Sequence, residues 1–166
     1  MSSRRRSRWA KKGGTDVLLV CSSGGHLLEL WALRDAWEGR SRAWVTFDKS
    51  DARSLLHGEE VVYAYGPTNR SVKNLLRNLL VAWRTLRDVR PQVVLTTGAG
   101  VAVPFAWLGR LRGARLVYVE SFTRIDEPSL TCRLVAPVAD RVYAQWPELV
   151  RSVPKAHYAG TVFRHR

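Results

Sequence analysis

A run of about eighteen apolar residues, the minimum for a helix that crosses a bilayer, is absent from the 166 residues. A classical membrane-spanning segment is therefore not expected. The start is basic, but no apolar core and small-residue cleavage site follow before the first strand, so it does not read as a secretory signal. Cysteine is scarce. Cys21 and Cys132 lie far apart, which does not suggest a disulfide framework and fits a reducing cytosol, with Cys21 reading as a buried thiol at the end of an apolar run. Acid is also short, at 14 residues against 27 lysines and arginines, for a net charge of +13. Six of those cations fall in the first twelve residues, and the rest keeps an excess of about seven, a balance suited to anionic lipid, phosphate-bearing substrates or nucleic acid. No Gly-Lys-Ser/Thr phosphate loop, Gly-x-Ser-x-Gly elbow or zinc-type Cys/His spacing occurs, and the four histidines are scattered. Neither a bound metal nor a cofactor is expected. Without a recognition motif or an ordered aromatic platform, nucleic acid is not expected as a partner either.

What is present is alternation. Residues 1–14 read as a disordered basic arm, and 15–166 as one domain. Short apolar runs at 16–21, 42–47, 60–65, 93–97, 115–120 and 140–144 predict strands, with a last short strand at 158–162. Helical spacing predicts helices over 26–37, 51–56, 71–88, 101–112, 128–138 and 147–153. The pattern is that of βαβ units, an α/β fold with a Rossmann-like parallel sheet and helices on both faces. Ligands then belong outside the carboxyl ends of the strands.

Three loops stand at such ends. The first is Ser22-Ser23-Gly24-Gly25-His26, where Ser23, Gly24 and Gly25 let a substrate approach the backbone and His26 stands at the cleft mouth, able to orient or deprotonate an acceptor group or to hydrogen-bond a phosphate. A plain strand-to-helix turn with His26 as a packing or capping residue is equally compatible. The second is Thr97-Gly98-Ala99-Gly100, which lacks the third glycine of a dinucleotide fingerprint; Asp48, at the tip of the second strand, has no other half of that motif. The third is Glu120-Ser121-Phe122-Thr123-Arg124, where Glu120 could bind sugar hydroxyls or act as a base, and Ser121 and Arg124 add a hydroxyl and a phosphate-binding guanidinium. A local Glu120–Arg124 structural pair is the alternative. The helix at 71–88 is both a crossover element and, with Arg70, Lys73 and Arg77 near its start, a candidate surface for anionic membrane.

Taken in order, Cys21-Ser22-Ser23-Gly24-Gly25-His26-Leu27, the run from Thr96 to Pro104, Tyr118-Val119-Glu120-Ser121-Phe122-Thr123-Arg124, Pro128-Ser129-Leu130-Thr131, Gln145-Trp146 and Tyr158-Ala159-Gly160 resemble the PssD-type exopolysaccharide subunits of bacteria. The chain is also similar to their eukaryotic relatives, the membrane-recruiting subunits of the split N-acetylglucosamine transferase of dolichol-linked oligosaccharide synthesis. The resemblance spans about residues 16–163. It implies the N-terminal half of a GT-B glycosyltransferase, with the three loops facing a lipid-diphosphate-linked sugar acceptor. Carried over, Gly24, Gly25 and His26 fall on the first loop, Gly98, Ala99 and Gly100 on the second, and Glu120 on the third; His26 and Glu120 become the candidates for catalysis. It further implies a heterodimer, in which a donor-binding glycosyltransferase subunit holds the UDP-sugar. The run Ala159-Gly160-Thr161-Val162-Phe163 looks like the linker into a donor domain, three residues before the sequence ends. A basic arm where the eukaryotic relatives carry a membrane helix implies peripheral attachment at the cytoplasmic face of the cell membrane. The alternative is a non-catalytic scaffold that recruits and activates its partner.

Overall fold

A computed structural model describes residues 14–68 and 71–163. The arm expected at 1–14, apart from Gly14, and the candidate membrane contact Arg70 lie outside these described residues. The strands are β1 (Val17–Val20), β2 (Arg42–Phe47), β3 (Val61–Ala64), β4 (Val93–Thr96), β5 (Arg115–Val119), β6 (Arg141–Ala144) and β7 (Ala156–Tyr158). They form one parallel sheet in the order β3-β2-β1-β4-β5-β6-β7. β1 lies inside the sheet between β2 and β4 with all four residues buried, which is why Val-Leu-Leu-Val reads as an unbroken apolar run and not an alternating one. Strand order reverses between β1 and β4, with Val20 level with Thr96, and the crevice at their carboxyl ends is where such a sheet takes its ligand.

The helices are α1 (Gly25–Ala32), α2 (Ser50–Leu55), α3 (Val72–Val89), α4 (Ala102–Leu111), α5 (Leu130–Val135) and α6 (Pro147–Ser152). Alternate strand residues feed two cores. On one face Leu18, Val20, Val45, Val94, Leu116 and Val142 meet α3 to α6 through residues such as Leu86, Phe105, Val135 and Leu149. On the other, Leu19, Trp44, Leu95 and Val119 meet α1 and α2 through Leu27, Leu30 and Ala52. Trp31, Trp37 and Trp44 pack ring on ring there, with centroids 5.2–6.1 Å apart. Each such pair adds about 0.5–1.5 kcal/mol beyond its buried area.

Three boundaries differ from the sequence reading, one being the helix expected over 128–138, which starts at Leu130 and passes into a 3-10 turn at Ala136–Val138 around Pro137. The helix expected over 26–37 ends at Ala32 and gives way to a 3-10 turn at Arg34–Ala36. This folds Trp37 back so that its indole N–H donates to the Leu30 carbonyl, 3.1 Å away. The last strand lies at Ala156–Tyr158, earlier than 158–162, because those residues pair with Val142, Tyr143 and Ala144. Beyond it Gly160 turns the chain at φ 93°, and the Val162 N–H donates to Gln145 Oε1 at 2.9 Å.

The largest departure concerns α3. Its N-cap Ser71 accepts from the Asn74 N–H, and Arg90 closes it in the left-handed conformation just before Pro91. The face turned to the body carries Asn78, Ala82, Thr85, Leu86 and Val89. The leucine stripe that packing on the sheet would have used is exposed instead: Val72, Leu75, Leu76, Leu79, Leu80 and Trp83 are 43–71% accessible. Ahead of buried Leu86 and Val89 the body-facing side is small or polar, and there Asn78 serves the backbone of Tyr65, accepting from its N–H at 2.8 Å and donating to its carbonyl at 2.9 Å.

Candidate functional site

The three loops converge at the carboxyl ends of β1, β4 and β5. The first runs from Ser22 to Gly25 between β1 and α1. Gly24 has φ 75°, a conformation open to glycine and costly for other residues. Its N–H donates to Asp51 Oδ2 of α2 at 2.7 Å, and its carbonyl accepts the first helical bond of α1 from Leu28. A β-carbon on Gly24 or Gly25 would meet nothing within 4 Å. Both residues are exposed, with Ser23 half-buried beside them, so this loop offers a ligand open backbone.

The second loop is packed from within. Gly98 has φ 103° and Ala99, unusually for a residue with a side chain, φ 68°. A β-carbon on Gly98 would sit 3.0 Å from the Tyr118 hydroxyl, and one on Gly100 2.9 Å from the Thr68 side chain. A side chain at either position would therefore collide with its neighbours, so close packing alone requires glycine here.

His26 joins the two loops. Its Nδ1 lies 2.8 Å from the Thr97 carbonyl, and the Thr97 hydroxyl donates back to the His26 carbonyl at 2.7 Å. A carbonyl only accepts, so Nδ1 carries the proton and Nε2 is the ring nitrogen left to accept one. The ring is half-buried, oriented, and chemically able to act as a base.

Glu120, at the end of β5, is 1% exposed. Its Oε1 accepts from the Tyr118 hydroxyl at 3.1 Å and the Ser121 N–H at 2.9 Å; its Oε2 accepts from the Ser129 N–H at 2.8 Å and the Ser129 hydroxyl at 2.9 Å. Ser129 also caps α5, accepting from the Cys132 N–H at 3.0 Å. The local pair with Arg124 does not form; Arg124 is exposed at the rim and its N–H donates to the Ser121 carbonyl. A carboxylate so enclosed by donors clamps β5, its loop and α5 together. Burial, then the Glu120 charge, raises the Tyr118 hydroxyl well above its ordinary pKa, which keeps it a donor. Burial likewise pushes the Cys21 and Cys132 thiols up to about 12.

Four further residues hold this cluster without having been assigned to the site: Glu29 and Asp51, which lie outside the quoted motifs, and Tyr118 and Ser129, which lie within them. Glu29 had the clearest signal, a lone acid between buried Leu27 and Leu30, one turn after His26. Lys73 and Arg77 lie outside the cleft, exposed on α3, with Arg77 over the Tyr65 ring at 5.2 Å. The link between the two regions is Thr68, which precedes α3 and packs on Gly100. Among the described residues no group of three or more acids, histidines and cysteines could hold a metal ion, and no helix is long and apolar enough to cross a membrane.

A profile described as "Oligosaccharide biosynthesis protein Alg14 like" matches residues 65–162. The UDP-N-acetylglucosamine transferase subunit ALG14 of Eremothecium gossypii is 34% identical over 177 residues, which cover 88% of this chain and 79% of that protein. The corresponding subunit of Schizosaccharomyces pombe is 38% identical over 77 residues, 43% of this chain and 37% of that protein. The crystal structure of MurG from Acinetobacter baumannii shares the fold, with a TM-score of 0.71 at 16% identity over 90% of this chain and 47% of that one. The chain therefore spans about half the length of that structure.

Proposed function

The chain belongs to the family of Alg14-like oligosaccharide biosynthesis proteins, and from that membership we propose that it is the acceptor-side subunit of a two-chain glycosyltransferase. Its cleft takes a lipid-diphosphate-linked sugar at the cytoplasmic face of the cell membrane, and a partner chain brings a UDP-sugar resembling UDP-N-acetylglucosamine. The acceptor hydroxyl attacks the anomeric carbon, the bond to UDP breaks, and His26 Nε2 takes the hydroxyl proton. Arg124 and the N-terminus of α1 are the groups available to the lipid diphosphate. Glu120 positions the third loop. Assembly of an exopolysaccharide or capsule chain is the process proposed, on the strength of the resemblance alone.

The observation that carries this reading is the contact of Thr68 with Gly100. It sets Thr68, four residues before the exposed apolar helix α3 begins, beside the second cleft loop. A lipid-linked acceptor needs that adjacency, with its chain in a bilayer and its diphosphate in the cleft. Exposed Trp107 and Leu111 of α4 and Leu130 and Leu134 of α5 extend the apolar surface, and Lys73, Arg77 and Arg84 supply cations.

The test is transfer of labelled N-acetylglucosamine from UDP to a lipid acceptor by this chain, a donor-binding partner, or both. Transfer is expected only with both present. His26→Ala is expected to lower the rate of the pair by about a hundredfold or more, the usual share of a general base. Full turnover by this chain alone would sink the two-chain reading. One observation favours a second reading, a non-catalytic scaffold that recruits and activates its partner: the Glu120 carboxylate is fully occupied by internal donors. An undiminished rate with His26→Ala selects that reading.

A further inference from the structure

The scheme above leaves Glu29 unused, although its burial is costly. It is 3% exposed and lies on α1 one turn beyond His26. Its Oε1 accepts from the Ser121 hydroxyl and the Phe122 N–H, both at 3.0 Å and both more than ninety positions away in the chain. Its Oε2 is buried and has no hydrogen-bond partner among the described residues. An ionised oxygen held from water without a donor is strongly unfavourable, whereas a protonated carboxyl leaves Oε1 free to accept both bonds. The groups around it set the balance. Burial raises its pKa most, the donors Phe122 and Ser121 and then His26 oppose that, and the Glu120 carboxylate adds to the rise.

We infer that Glu29 is a positioning residue, a buried carboxyl that latches the Ser121–Arg124 loop to the helix bearing His26. Two elements that share no backbone hydrogen bond are thereby held in one geometry. Trp146 supports the same loop, its indole N–H donating to the Phe122 carbonyl at 2.6 Å, but it stands on the β6 side. Glu29 alone ties the loop to α1 through hydrogen bonds among those described. Because Arg124 rides on this loop, the latch sets the distance between the guanidinium and the imidazole. That consequence for catalysis rests on the acceptor-site reading given above; the latch itself does not.

The test separates the two. In the full chain, amide exchange at Phe122 is compared with exchange at Leu95 in the central strand β4. Glu29→Ala removes the acceptor and is expected to speed Phe122 exchange by about tenfold or more, the size of one lost buried hydrogen bond. Glu29→Gln keeps an uncharged acceptor oxygen and is expected to stay within about threefold of the parent. Should Glu29→Ala fail to fold, Glu29→Asp, one methylene shorter, is expected to give the fast exchange. In the two-chain complex, Glu29→Ala should raise KM for the lipid acceptor about tenfold with KM for the UDP-sugar unmoved, and Glu29→Gln should restore most of it. Unchanged Phe122 exchange without the carboxyl, or a glutamine variant as loose as alanine, overturns the latch. A parent complex that transfers no sugar overturns the acceptor reading and leaves exchange to decide the latch.

Discussion

Two buried carboxyl groups stand within one loop cluster and meet opposite environments. Glu120 has a donor on each lone-pair direction the loop can supply, so its burial is compensated. Glu29 has donors on one oxygen only. The consequence for stability has a definite sign. Burial lifts the Glu29 pKa above its ordinary 4.5, so the folded state binds that proton more tightly than the unfolded chain does. The contribution is fully present below pH 4.5 and is lost as pH rises through the raised value. Glu29→Gln cannot ionise and escapes the loss. Urea unfolding of parent and variant across pH is expected to show the glutamine protein gaining stability over the parent toward neutral and alkaline pH, with the gap closing at acid pH. A gap that stays constant from acid to alkaline pH would mean that this carboxyl ionises as easily folded as unfolded.

At the scale of elements, α3 is a helix whose two faces have exchanged their usual roles. An eighteen-residue helix rich in leucine ordinarily turns that stripe to the core. Here the inner face is fixed by Asn78 on the Tyr65 backbone and by small Ala82 on the sheet, and the apolar stripe faces out. Leaving so much apolar surface in water is unfavourable unless something covers it, and an anionic bilayer matches both the leucines and the flanking cations. Changing Val72, Leu76 and Leu80, which are 59–71% exposed, together to glutamine is therefore expected to alter folding stability by less than about 1 kcal/mol. The same change should cut binding to vesicles containing anionic lipid by about tenfold or more. Co-sedimentation and urea unfolding on the same preparations check both; full vesicle binding by the triple variant would remove α3 as the contact.

At the scale of the whole molecule, the sheet is covered unevenly. α3 to α6 cover one face from end to end, while α1 and α2 cover the other over β1 to β3. Over β4 to β6 a groove of about 770 Å³ opens, lined by Leu95, Val117, Val119 and Tyr143, with residues 159–162 along its edge. On the two-chain reading proposed above, these described residues supply the acceptor wall of the cleft and a partner chain supplies the nucleotide-sugar. Titration of the purified chain with UDP-N-acetylglucosamine is accordingly expected to give no saturable heat, with binding appearing once a donor-binding partner is added. Tight binding by the chain alone would place the nucleotide site here and refute the division of labour.

Local chemistry sufficed for the strand-and-helix alternation, the parallel sheet and the three loops at strand ends. Each depends on residues adjacent in sequence, such as the unbroken Val-Leu-Leu-Val of β1 or the serines that cap α3 and α5. His26 was legible for the same reason, since a histidine that follows two glycines after a buried strand has few other places to stand. Its tautomer was not, because that depends on the Thr97 carbonyl seventy-one residues away. Helical spacing located α3 but could not say which face turns inward, because that choice hangs on Asn78 finding the backbone of Tyr65. The clamp on Glu120 and the latch through Glu29 likewise join positions that only the folded chain makes neighbours. Sequence fixes what each segment prefers by itself; partners for buried polar atoms are chosen when distant segments meet, and here those partners decide the site.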